Sequence, residues 1–229
     1  MYNKKRRLPF LVLVSLIIGL MGSLFLTTAF AATFAGGSGG VEDPYIIATP
    51  AQFDAIRNHR DSHFILANDI DMSSYSSWIP ILSLKGSLNG GGFTVRNITI
   101  TASNSGQMGL FISLEATSTV SNLTIENLYV TGGGGTSIYA GALATHNRGI
   151  ITNCNVGFSI DVHATTAVHA GGLFYTNSGT IQNSIANGTV YVHTTTAAYA
   201  GGLVYSNSGT IENSFVQGAV IGSASTAPL

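Results

Sequence analysis

The sequence predicts an all-β protein: a right-handed parallel β-helix, or solenoid, of about five coils, begun by a short N-terminal helical cap. Three observations predict it. First, "YAGGLVYSNSGTIENSF" (199–215) follows "HAGGLFYTNSGTIQNSI" (169–185), which follows "YAGALATHNRGIITNCN" (139–155), at an interval of 30 residues. A period of this size belongs to solenoids, propellers and arrays. Second, 28 glycines, many β-branched residues and only 8% charged residues argue against helical repeats. Third, thirty residues allow three strands of about five or six residues with three turns, which is one coil of a β-helix. A propeller blade needs four strands and about 40–45 residues.

Residues 1–31 read as a signal peptide. "NKKRR" (3–7) is a basic start, "LPFLVLVSLIIGLMGSLFL" (8–26) an apolar core, and Ala29-Phe30-Ala31 a small-residue cleavage site. The apolar run is long enough to span a bilayer, so an uncleaved anchor is the rival reading. Export follows either way, to the medium or the cell surface of a bacterium. Four of the nine basic residues stand in this leader, leaving five against ten acids, so the mature chain lacks the basic footprint that nucleic acid requires. The single cysteine, Cys154, excludes an intramolecular disulfide. Its slot in the next two repeats holds Ser184 and Ser214, so it reads as a small residue in a repeat position.

Residues 32–80 form a linker, a short helix and a cap with the first strand. "TFAGGSGG" (33–40) contains a formal G-x-S-x-G but lacks the flanking strand and helix that a nucleophile elbow requires. In "TPAQFDAIRNH" (49–59), Thr49 reads as an N-cap, Pro50 as the first helical residue, and Phe53 and Ile56 as one apolar face. "HFILANDIDMS" (63–73) alternates toward a strand.

Residues 81–229 form the solenoid, with regular repeats at 139–168, 169–198 and 199–228 and two looser units before them. The repeat positions are Gly141, Gly171 and Gly201; Leu143, Leu173 and Leu203; Gly149, Gly179 and Gly209; Ile151, Ile181 and Ile211; and Asn153, Asn183 and Asn213. In stacked coils each residue sits above its counterpart at strand spacing. Leu and Ile columns then fill the interior, and Asn columns form amide ladders. Gly columns mark corners that need positive φ or leave no room for a side chain.

These repeats resemble the GLUG motif of bacterial secreted and surface proteins, which occurs in adhesin-like chains and in non-catalytic regions of IgA-cleaving metallopeptidases. The resemblance rests on Gly201, Gly202, Leu203, Asn207, Gly209, Thr210, Ile211, Asn213 and Ser214, and on the matching slots at 171–184. The first repeat departs from it at Ala142, Arg148 and Ile150, and Tyr175 and Tyr205 replace a frequent glycine. "EDPYIIATPAQFDAIRN", "FILANDIDMS" and "KGSLNGGGFTVRNITI" are similar to the segment that precedes such repeats. The resemblance implies a capped solenoid and specifies no ligand.

No catalytic or metal-binding residue is assigned, and no cofactor is expected. The H-E-x-x-H of a metallopeptidase is missing. Glycoside hydrolysis needs paired carboxylates, yet from residue 139 onward the charged residues are Arg148, Asp161 and Glu212 alone. Asp69 and Asp71 could contribute to a Ca²⁺ site, but two ligands are too few, and turn hydrogen bonds are the plainer role. Threonine columns at 165–166 and 195–196, with Thr226 beyond, lack the paired T-x-T array of an ice-binding face. His163 and His193 share a column. Tyr139, His169 and Tyr199 share another, and they are the candidates for holding a sugar.

The expected function is a non-catalytic surface or extracellular module for adhesion or as a stalk, taking glycans or matrix proteins as partners. The alternatives are a carbohydrate-active β-helix enzyme (polysaccharide lyase or hydrolase) or a fragment of one, and an ice-binding solenoid. An open last coil would expose Leu203 and Ile211, so self-association through it, or continuation in a longer chain, is also expected.

Overall fold

A computed structural model describes residues 33–102 and 106–224. The leader, Thr226 and the end of the third repeat lie outside the described residues. The described chain is a parallel β-solenoid whose strands stack into four sheets of seven, six, five and four strands. One short helix lies on the N-terminal side.

The helix forms where its signals stand. Thr49 Oγ1 accepts the Gln52 N–H (3.2 Å), and Pro50 opens the helix Pro50–Ala55, where its missing N–H costs nothing. A 3₁₀ turn, Ile56–Asn58, ends it. Phe53 and Ile56 are fully buried, and the Phe53 ring meets Trp78 at 5.7 Å. The helix thus supplies the apolar surface that covers the first coil. Strand Tyr45–Ile47 begins the short-strand sheet by pairing with Phe64–Leu66.

Asp69 and Asp71 fasten this cap to the next coil. Asp69 Oδ1 accepts the Thr94 N–H (2.9 Å); Asp71 accepts from Ser73 N (3.0 Å) and Asn97 Nδ2 (3.0 Å). Arg96 lies beside both carboxylates, at 3.8 and 3.3 Å. The Asn97 amide, then the Ser73 donors, hold the Asp71 carboxyl well below the usual carboxylate range.

Each regular coil has four strands, where the sequence predicts three. From Ser137 they are Ser137–Gly141, Ala144–Asn147, Ile150–Thr152 and the long Asn155–Ala164, and a two-residue corner follows each. The extra corner falls at 142–143, directly after Gly141. Gly141, Gly171 and Gly201 make this fold possible. A Cβ on any of them would collide with the carbonyl of Ala144, Phe174 or Val204 respectively. We call the two sheets joined here, Ser137–Gly141 with its stack and Ala144–Asn147 with its stack, the crease sheets.

Register is uniform among the three regular repeats: Gly141, Gly171 and Gly201 align, as do Ile151, Ile181 and Ile211, and Tyr139, His169 and Tyr199. Leu143, Leu173, Ile151 and Ile181 are fully buried. Leu203 and Ile211 are half-buried and pack against that core.

Between the strands of the regular coils the positive-φ corners belong to asparagine, and none of the six repeat glycines adopts one. Asn153, Asn183 and Asn213 have φ of 53°, 50° and 47°. Asparagine tolerates this left-handed conformation better than other residues with a Cβ. Its amide also reaches the next coil: Asn153 Nδ2 donates to Asn122 Oδ1 (3.3 Å) and Asn213 Nδ2 to Asn183 Oδ1 (3.2 Å). A second ladder starts from the buried Asn147 and Asn177. Asn147 Nδ2 donates to Asn177 Oδ1 (2.6 Å), and Asn177 Nδ2 to Asn207 Oδ1 (2.7 Å). The glycine columns at 149, 179 and 209 serve close approach instead; a Cβ on Gly179 would strike the Gly149 carbonyl.

Candidate functional site

The crease sheets bring the predicted site residues together. Alternation along Ala167–Gly171 buries Val168 and Ala170 and turns His169 outward. The same alternation turns Tyr139 and Tyr199 outward, and stacking at strand spacing aligns the three rings. Tyr139 and His169 lie 5.3 Å apart and His169 and Tyr199 4.9 Å apart, each pair within 13° of parallel.

A second column, missed as a partner by the sequence reading, closes against the first. Tyr175 and Tyr205 stack at 5.4 Å and 6°. The tight corners at 172–173 and 202–203 swing them across the crease. Tyr175 meets Tyr139 at 4.9 Å, and His169 meets the edges of Tyr175 and Tyr205 at 5.8 and 5.2 Å. The signal was present, because Tyr175 and Tyr205 also repeat at thirty residues. That they face the first column depends on the extra corner.

His169 sits inside this cluster with a buried Nδ1 that has no hydrogen-bond partner. Burial pulls its pKa below the ordinary histidine value. Burial, then the neighbouring Tyr139 and Tyr205, pushes the Tyr175 phenol up. His146 closes the rim: Nδ1 bonds Thr176 Oγ1 (2.8 Å), and Nε2 lies 3.2 Å from Gln107 Nε2. Burial, then Arg148, lowers its pKa.

This geometry decides what the columns can do. A sugar stacks on a free ring face. Within each column the faces are turned to one another, so the rings offer mainly edges and phenol hydroxyls. Tyr199, 46% exposed at the last described coil, is the most open of them.

The other predicted features are dispersed. His163 and His193 are register partners on the long-strand sheet, where His193 Nε2 lies 3.8 Å from Asp161. Thr165 and Thr195 occupy a corner rather than a flat sheet, and each hydroxyl bonds a carbonyl of the coil below, Gly135 and Thr165 respectively. Cys154 is buried, its N–H donates to Ser184 Oγ (3.1 Å), and burial pushes the thiol up to about 11. Ser184 N in turn donates to Ser214 Oγ (3.0 Å), so the column needs a small side chain at each level. Among the described residues no group of three or more metal-ligating side chains is gathered.

The fold defines a parallel β-solenoid, and a solved structure shares it. No family model matches the chain. It is 32% identical over 164 residues to a "Putative Gly-rich membrane protein" of Evansella cellulosilytica, a match covering 66% of this chain and 19% of that protein. It is 37% identical over 117 residues to "Halomucin" of Haloquadratum walsbyi, covering 46% of this chain and 1% of that protein. The chain therefore spans a small part of the curated relatives it matches. A solved structure titled as a "putative immunoglobulin A1 protease" from Bacteroides ovatus superposes with a TM-score of 0.66 at 20% identity. That superposition covers 82% of this chain and 60% of the other, and it shows a shared fold. Among the described residues no helix is long and apolar enough to cross a membrane.

Proposed function

We propose that the chain is an exported, non-catalytic solenoid module of the bacterial surface or medium, built from GLUG-type repeats and acting in adhesion or as a stalk. The observation that carries this reading is the structural use of most of its carboxylates. Asp69 and Asp71 tie the cap to the next coil. Glu115 holds Arg148 (3.2 Å), Asp61 holds Lys85 (2.8 Å), and Glu212 accepts from Gln182 in the coil below (2.9 Å). Acids employed this way build a rigid wall; hydrolysis would need two of them free and facing one substrate. The names of the two relatives, a membrane protein and a halomucin, suit a surface setting.

The test pairs two assays on the full chain. A screen against glycans and matrix proteins should give binding. Incubation with plant and microbial polysaccharides should release no reducing ends. Turnover of any polysaccharide would replace this reading with that of a carbohydrate-active β-helix enzyme.

A further inference from the structure

The long-strand sheet carries a defect in the repeat. Strand Thr124–Gly133 pairs with Asn155–Ala164, but Ile125 faces Val156 and Leu128 faces Phe158. Glu126 and Asn127 together therefore oppose Gly157 alone, which is a β-bulge. Asn127 takes the extra turn at φ 53°. The coil below has a left-handed residue at the same level, Asn97 (φ 61°), and Asn127 Nδ2 donates to Asn97 Oδ1 (3.1 Å). Above Asn127 the ladder stops, because Gly157 has no amide with which to continue it.

A notch of about 360 Å³ opens where the ladder stops. Glu126, Asn127, Tyr129, Ser159 and Asn187 line it over a floor at Gly157. Tyr129 is 48% exposed, and Glu126, Asn127 and Asn187 are exposed as well. Among the described residues no cation lies within salt-bridge distance of Glu126. Its register neighbour Arg96 is turned to Asp69 and Asp71 instead.

We propose that this notch is a subsite for one neutral pyranose residue of a glycan. The proposal rests on the surface-module reading and places the glycan site away from the aromatic crease. Tyr129 belongs to neither aromatic column and supplies ring surface for the sugar's C–H face. The Glu126 carboxylate accepts from sugar hydroxyls, while the Asn187 amide both donates and accepts. A few convergent polar groups beside an apolar wall, in a space of roughly 300 Å³ or more, are what small-ligand sites share. The unpaired carboxylate disfavours uronic and sialic acids by like-charge repulsion.

Amide NMR of the full chain, titrated with the methyl glycosides of glucose, galactose and mannose and with N-acetylglucosamine, tests this. At least one probe should give saturable shifts at residues 126–129, 157–159 and 187. Tyr129→Ala should weaken that binding about tenfold, the equivalent of one aromatic contact. Asn187→Ala should weaken it too, and Tyr199→Ala should leave it unchanged. Glu126→Gln should add binding of glucuronate. Both Tyr129 and Asn187 are exposed, and unchanged far-UV dichroism confirms that those variants fold. Shifts confined to residues 139, 169, 175, 199 and 205 would overturn the notch and leave glycan binding by this module standing. Binding unaffected by Tyr129→Ala would overturn it equally. No saturable shift with any probe would overturn the notch as a sugar site, and the module reading would then rest on the matrix-protein arm of the binding screen.

Discussion

Exchanging the corner residue at position 183 separates what asparagine and glycine each do in this solenoid. Asn183 has φ 50°, and its Oδ1 accepts from Asn213 Nδ2 at 3.2 Å. Asn183→Ala keeps the Cβ in the left-handed region but loses the local side-chain hydrogen bonding that offsets its strain in asparagine, and an uncompensated Cβ there costs about 1–2 kcal/mol. It also removes an exposed amide bond worth roughly 0.5 kcal/mol. The sum, about 2 kcal/mol, lowers Tm by about 4–8 °C in a domain of this size. Asn183→Gly removes the same amide bond but pays no steric cost at positive φ; it adds unfolded-chain entropy, for a total of about 1 kcal/mol. Alanine should therefore be the worse substitution at 183. At 179 glycine has ordinary φ, and Gly179→Ala should fail for a different reason, the collision of its Cβ with the Gly149 carbonyl. Thermal unfolding followed by circular dichroism, with urea titration as the second probe, measures all three. Equal stability of Asn183→Ala and Asn183→Gly would refute the claim that the corner conformation, rather than the amide ladder, sets the cost.

Deleting Thr180, which lies in strand Thr180–Gln182, should disrupt folding far more than deleting Thr195, which lies at a corner; equal melting temperatures would count against stacked coils. Asn177→Ala breaks both of its amide–amide hydrogen bonds, one of them to the buried Asn147, and a longer one to the Gly179 carbonyl, and should cost about 2–4 kcal/mol by denaturant titration. Cys154, pushed up to about 11, should resist alkylation at pH 8 in the folded chain and react once unfolded. Its folded pKa is raised, so its contribution to stability is complete below the ordinary thiol pKa and is lost as pH rises through about 11; Cys154→Ser should remove that part of the alkaline destabilisation. The far-UV spectrum should be dominated by β structure with a minor helical contribution, and a helix-dominated spectrum would refute the fold.

Columns were legible in the sequence because parallel stacking converts a thirty-residue interval into direct contact. Tyr139, His169 and Tyr199 were grouped by spacing alone, and the structure stacks them. The N-cap at Thr49 was legible for a local reason, since a threonine before proline and an apolar face identifies itself within one turn. What spacing could not reveal is how columns meet sideways. The corner at 172–173 carries no proline and no asparagine; its glycines, Gly171 and Gly172, are the local signal, and they do not say which way the chain turns. Without it, His169 and Tyr175 are merely six residues apart. The glycines at 141, 171 and 201 mark that corner, but through a collision with the strand that follows it, which requires the fold to be known.

The notch follows the same logic in reverse. A perfect repeat makes a wall whose every level repeats the one below, with each ladder amide paired and each ring face covered. Such a wall is stiff and chemically uniform, which suits a stalk and offers little to a ligand. A binding place needs a level that differs from its neighbours. The solenoid makes one where the interval changes from 31 residues, Thr124 to Asn155, to 30 residues, Leu128 to Phe158. The single extra residue lifts Asn127 out of the sheet, the missing side chain at Gly157 lowers the next level, and Glu126 is left beside the step with no cationic partner among the described residues. Restoring the wall should abolish the notch. Inserting one asparagine between Gly157 and Phe158, opposite Asn127, would give the upper strand its own extra residue, carry the amide ladder up one level, and fill the space with an Asn–Asn pair like that of Asn97 and Asn127. That variant should keep the melting temperature of the parent within a few degrees, because it continues a pattern the coils below already tolerate. It should also lose the sugar-induced shifts at 126–129. A stable insertion variant that still bound sugar there would mean that the step in the wall is not what creates the site.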